Sequence, residues 1–157
     1  MVRYMKQQRE IVARVSGDHA RWVKFIAEAA SIMRAPPPAY RVPDGRKAHQ
    51  YAVFFDQYQR YLRSLKPPDY CVPLHGATTA WLESLAGLSM QVSVAIQKND
   101  AVELDRVVRA ASEPQRRLGS AQRMRAKTLE GVRKMFEARP KPVPKPIKIP
   151  WLTGKRR

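Results

Sequence analysis

Residues 4–33 read YMKQQREIVARVSGDHARWVKFIAEAASIM, and this stretch decides the fold. Tyr4, Ile11, Val15, Trp22, Ile26, Ala29 and Met33 recur at steps of seven, four and three. At 100° per residue they fall within about 40° of one line, which predicts a helix with a narrow apolar stripe. Gly17 and Asp18 sit at its middle and are expected to loosen it, although the stripe keeps its phase across them. No proline precedes Pro36, so nothing in the segment removes a backbone donor or clashes with the preceding turn.

Outward from this helix, prolines draw the map. The 13 prolines cluster at 36–38 and 43, at 67, 68 and 73, at 114, and from 140 to 150. Two further segments lie between clusters with no proline, 44–66 and 74–113. The first of these carries Tyr51, Phe54, Phe55, Tyr58, Leu62 and Leu65 on one face, with Asp44 placed as its N-cap. The next carries Leu74, Trp81, Leu85, Leu88, Val92 and Ile96, and Asn99-Asp100 then turns into a fourth helix.

That fourth helix is expected from Ala101 to about Ala138, kinked or broken near Pro114, with Ser112 placed to cap a restart. Leu104, Val107, Ala111, Leu118, Leu129, Val132, Met135 and Phe136 would share its buried face. No segment alternates with period two for long enough to form a strand. The pattern predicts an all-α fold, an antiparallel up-down four-helix bundle over 1–139, with helices at about 3–34, 45–66, 74–98 and 101–138. An extended Pro/Lys-rich arm follows over 140–157.

The first two connectors are copies of one pattern. Pro37-Pro38-Ala39-Tyr40 is followed by His49, and Pro67-Pro68-Asp69-Tyr70 by His75. Pro-Pro ends a helix, the tyrosine can fold over the bundle end, and the histidine stands near the next helix start. This Pro-Pro-x-Tyr…His connector resembles one in uncharacterised helical-bundle proteins of bacteria, many of them exported or lipid-anchored, over roughly residues 30–110. The resemblance implies the helical-bundle fold and carries no functional assignment. The chain departs from that pattern in showing no export signal and no lipobox cysteine.

Composition narrows the class. Among 157 residues, 30 Lys+Arg face 13 Asp+Glu for a formal charge of +17, and 44% hydrophobic content argues for a packed core over disorder. A mean hydropathy of −0.50, with no long unbroken apolar run, argues against a membrane-spanning helix. One cysteine, Cys71, excludes an internal disulfide framework and a four-cysteine zinc site. The basic, interrupted amino terminus reads as part of the fold, so the expected compartment is the cytoplasm.

Residues with chemistry to offer are few. No Glu-x-x-His pair occurs, and His19, His49 and His75 are placed too far apart to share an ion, so no metal site and no cofactor are expected. Cys71 has His75 four residues on, which could activate a thiolate, but a small apolar residue packing at the bundle end is the simpler reading. No nucleophile elbow, phosphate-binding glycine loop or helix-borne zinc motif is present, and the expectation is a protein without catalytic residues. The rings from Tyr51 to Tyr61 could line a ligand pocket, and at helical spacing they read first as core.

Charge is the clearest functional signal. Arg109, Arg116, Arg123, Lys127 and Lys134 fall within about 20° of one line, almost opposite the apolar stripe of the fourth helix. Arg125 falls on the apolar side, where it must snorkel or meet a partner. From Arg106 to Arg139 the chain has ten basic residues against three acidic ones, whereas a merely solvated face mixes signs. The arm adds Lys141, Lys145, Lys148, Lys155, Arg156 and Arg157 with no acid, interleaved with Val143, Ile147, Ile149, Trp151 and Leu152.

Together these predict a nucleic-acid or other polyanion binder acting within a larger assembly, RNA or DNA, largely without sequence readout. The alternative is a protein-docking scaffold or cargo adaptor. Its tail would insert Ile147, Ile149, Trp151 and Leu152 into a partner protein, and its bundle would form a homo-oligomer through the third helix. There Gly87, Met90 and Val94 form a second small apolar face, in a helix whose sole charge between Leu74 and Gln97 is Glu83. An anionic membrane surface ranks third, because the prolines oppose an amphipathic tail helix.

Overall fold

The computed structural model describes residues 2–138, all helical apart from turns and connectors, with no strand among them. Helix α1 spans Val2–Arg34, α2 Gly45–Ser64, α3 Val72–Gln97, α4 Ala101–Ala110 and α5 Ser112–Glu137. A single 3-10 turn, Asp69–Cys71, leads directly into α3. The arm over 140–157, with all of its candidate residues, lies outside the described residues.

Helix α1 runs unbroken through Gly17 and Asp18, correcting the expected loosening. Thirty-three residues span about 50 Å, long enough for its stripe to reach both ends of the core. All seven stripe residues from Tyr4 to Met33 are buried. Asp44 caps α2 as expected: its Oδ1 accepts from the backbone N–H of Arg46 at 2.9 Å and of Lys47 at 3.4 Å. Asp100 does the same for α4, accepting from Glu103 N at 2.9 Å. The preceding Asn99 takes a left-handed φ of 54°, which lets the chain turn so tightly.

The core forms where α3 lies against α2, α4 and α5, while α1 packs on α2 and α4. Trp22, Trp81, Phe55, Leu62, Leu82 and Leu85 are fully enclosed, and each buried side chain of this size contributes roughly 1.5–3 kcal/mol of transfer free energy. Ring contacts orient the packing, with Trp22 edge-on to Phe55 at 6.2 Å and Phe25 beside Tyr51 at 5.7 Å.

Polar groups fix the register of α1 against α3. Gln8 Nε2 donates to Thr78 Oγ1 at 3.1 Å, and Thr78 in turn donates to Leu74 O at 2.8 Å. Tyr4 Oη hydrogen-bonds His75 Nδ1 at 3.0 Å. Burial pushes the Tyr4 phenol up to about 12 and holds His75 below the ordinary imidazole range, so both are neutral in this contact. At the other end, Tyr40 Oη donates to Asn99 Oδ1, tying the first connector to the α3–α4 turn.

Two expectations for the fourth helix need correction. The break comes at Ala111, and Ser112 is the first residue of α5, with no side-chain cap at that junction. Pro114 sits in α5's first turn, where its missing N–H costs least, but its ring clashes with helical continuation from Ala110. Second, the apolar stripe is buried only as far as Ala121: Leu104, Val107, Ala111 and Leu118 are enclosed, whereas Leu129, Met135 and Phe136 are exposed. The cause is stagger. Arg117 Nη1 reaches Ala80 O at 3.4 Å, which sets the start of α5 beside the ninth residue of α3, so α5, 26 residues long like α3, runs past the first turn of α3 well before Glu137. No described residue after Ala121 is buried.

Candidate polyanion-binding surface

The kink at Ala111 divides the expected basic line between two helices, with Arg109 on α4 and Arg116, Arg123, Lys127 and Lys134 on α5. All five are exposed. Their electrostatic settings differ. Arg116 pairs with Glu113, and Lys134 Nζ lies 2.8 Å from Glu130 Oε1. Arg123 donates to the neutral Ser120 Oγ at 3.0 Å. Among the described residues, Arg109, Arg123 and Lys127 meet no carboxylate, so their charge is fully available to an anion.

Glu113 is the main local counter-charge. A hydrogen bond from Arg117, reinforced by the charges of Arg116 and Arg117, holds its carboxyl below the usual range. Arg117 Nε lies 2.8 Å from Glu113 Oε1 while its other arm reaches Ala80 O, so this arginine serves the α3–α5 seam. Such exposed helical pairs are weak and salt-screened, and a phosphate competes with them readily. Arg125 is half-buried on the apolar side, with its Nε enclosed and unbonded among the described residues.

Folding adds cations that the linear pattern of the fourth helix did not include. Arg3, Lys6 and Arg9 are exposed on α1's first turns. Tyr4 meets His75 there, and Met5 Sδ lies 3.6 Å from Cys71 Sγ. The same end carries exposed Lys66 and, by the α3–α5 register, Arg123 and Lys127. The signal was present in the basic amino terminus, but nothing in one dimension places it beside α5.

The other candidates fall as follows. Gly87, Met90 and Val94 lie together on the solvent side of α3, with Met90 47% and Val94 38% exposed and open space where a Gly87 Cβ would be. Cys71 is enclosed, and burial pushes its thiol up, away from the thiolate. His75 is engaged by Tyr4, His49 is exposed near Gln97 at the opposite end, and His19 is buried in the core. Among the described residues no cluster of three or more His, Cys, Asp or Glu could hold a metal ion, and no helix is long and apolar enough to cross a membrane.

The rings of α2 divide between two roles. Phe55 is enclosed and Tyr51, Phe54 and Tyr58 are half-buried, while Tyr61 stands at the mouth of an open cleft against α1. No protein-family model, curated protein or solved structure matches this chain.

Proposed function

We propose that this is a non-enzymatic binding protein that holds a nucleic acid or other polyanion inside a larger, cytoplasmic assembly. The observation that carries this reading is a group of exposed cations with no carboxylate partner among the described residues: Arg109, Arg123 and Lys127, the last two joined at one end of the bundle by Arg3, Lys6, Arg9 and Lys66. The paired contacts of Tyr4 with His75 and of Arg34 with Asp105 support an antiparallel up-down bundle as the platform. The basic arm, from Lys141 to Arg157, supplies the remaining charge.

The mechanism is charge neutralisation with release of condensed counterions. Neutralising about six phosphates gives a slope of log K against log salt near −5. The test is fluorescence anisotropy of labelled RNA and duplex DNA across a salt series. The full-length protein is compared with a triple Arg109→Gln, Arg123→Gln, Lys127→Gln variant and with Lys141→Gln, Lys145→Gln, Lys148→Gln. Each triple change should shrink the slope by about 2 to 3. Unchanged slopes in both variants overturn the reading.

The exposed Met90 and Val94 favour a second reading, a docking scaffold that self-associates through α3 and offers its tail to a protein partner. Its partner affinity would be nearly independent of salt and would be lost in Trp151→Ala.

A further inference from the structure

We infer that the cleft between α1 and α2 is a base-binding site for single-stranded nucleic acid. The inference rests on the polyanion reading above and adds to it a second surface with a different chemistry.

The cleft has a volume of about 410 Å³, within the range of small-ligand sites, and opens between Gln7–Arg14 of α1 and Gln57–Tyr61 of α2. A smaller cavity of about 200 Å³ lies farther along the same two helices, between Asp18 and the stretch from Lys47 to Phe54. Ring contacts bridge the seam there, Trp22 meeting Phe55 and Phe25 meeting Tyr51, and leave only the smaller cavity beside them, while the wider opening lies along Gln7–Arg14.

The lining matches an unstacked base. Ile11 forms an apolar floor, 3% exposed. Tyr58 is held in place by Phe54, with ring centroids 4.7 Å apart, and Tyr61 beyond it is 46% exposed, so a ring face is available for stacking. Gln7 of α1 and Gln57 of α2 both line the opening, and each amide offers both donors and an acceptor to a base edge. Arg14 and Glu10 stand at the rim, neither with an ion-pair partner among the described residues. The guanidinium suits a phosphate, and the carboxylate suits an exocyclic amine.

Other occupants fit less well. A purely apolar ligand would strip water from Gln7, Glu10, Arg14 and Gln57 without returning hydrogen bonds. One carboxylate cannot hold a hard cation. A duplex keeps its bases stacked and paired, out of reach of a cleft between two helices.

The test uses the full chain with labelled single-stranded RNA and a duplex DNA of equal length. Four proteins are compared by anisotropy: the parent, Tyr61→Ala, Tyr61→Phe and the double variant Arg123→Gln, Lys127→Gln. Tyr61 is exposed enough for truncation to leave folding intact, which an unchanged unfolding midpoint verifies. The expected result is about 5- to 100-fold weaker binding of single strands by Tyr61→Ala, unchanged duplex binding, and near-parental affinity in Tyr61→Phe. Parental single-strand affinity in Tyr61→Ala overturns the inference, and weaker binding of both nucleic acids by the double charge variant in that case leaves the polyanion reading standing. The opposite pattern, loss with Tyr61→Ala but none with the charge variant, keeps the cleft and overturns the role given to Arg123 and Lys127. No binding by the parent overturns both.

Discussion

Replacing His19 with leucine should remove most of the acid sensitivity of the fold between pH 5.5 and 7.5. His19 is 2% exposed, its ring centroid lies 6.1 Å from that of Trp22 and 6.3 Å from that of Trp81, and its Nε2 has no hydrogen-bond partner among the described residues. Burial lowers its pKa below the ordinary 6.5, so the folded protein keeps it neutral where the unfolded chain is already charged. As pH falls through about 6.5 the unfolded state comes to bind up to one more proton than the native state. Stability is therefore full above about pH 6.5 and is lost as pH falls below it, by at most about 1.4 kcal/mol per unit until the folded pKa is reached.

His75, also lowered by burial but only half-buried, adds a smaller slope of the same sign. Glu103 and Glu113 have pKa values held below the usual carboxylate range, so their contribution is lost only at more acidic pH, outside the window. The assay is urea unfolding at fixed pH from 5.5 to 7.5, followed by circular dichroism. At pH 7.5 the leucine variant should lie within about 1 kcal/mol of the parent, because removing an unbonded buried nitrogen offsets imperfect packing. Its advantage should then grow by up to about 1.4 kcal/mol per unit of acidification. Parallel stability curves for the two proteins would refute this account of the core.

Truncating Leu85, fully enclosed in α3, to alanine should cost about 3–5 kcal/mol in urea unfolding, whereas Leu129→Ala on the exposed end of α5 should cost under about 1. Gly17→Ala should stabilise the fold by roughly 0.5–1 kcal/mol, because the site is mid-helix and a Cβ there meets nothing within 4 Å. If the bundle self-associates through α3, Met90→Lys should shift the sedimentation velocity boundary to a smaller species while the helical content stays constant. Unchanged sedimentation would discard that face.

The sequence made α1 and α3 the most legible elements because their burial is nearly all-or-none along one stripe. Every residue assigned to the α1 stripe is enclosed, and in α3 Leu88 alone is only half-buried. Caps at Asp44 and Asp100 were equally readable, since their chemistry is local. The far end of α5 was not. Periodicity reports that Leu129 shares a face with Leu118, but it cannot report how much of that face a neighbour covers. That depends on the stagger of α5 against α3, which the Arg117–Ala80 contact records, and on where Pro67, Pro68 and Pro73 let α3 start.

The candidate sites show the same division between local and relational information. A line of cations on one helix face is a property of that helix, so Arg123 and Lys127 could be named from spacing, and the structure places them in solvent. The convergence of Arg3, Lys6 and Arg9 on the same end depends on the α1–α3 register, which the Tyr4–His75 and Gln8–Thr78 contacts set. The cleft is further still from one-dimensional reading. Tyr58 shares the periodic face of the enclosed Phe55, Tyr61 belongs to the same run of rings that reads first as core, and only the uneven width of the α1–α2 seam separates a core ring from an available one. This is why Tyr61→Ala discriminates so sharply. A ring that served only packing would register in the unfolding midpoint, and a ring that served only solubility would register nowhere. A ring that stacks on a base registers in single-strand affinity alone.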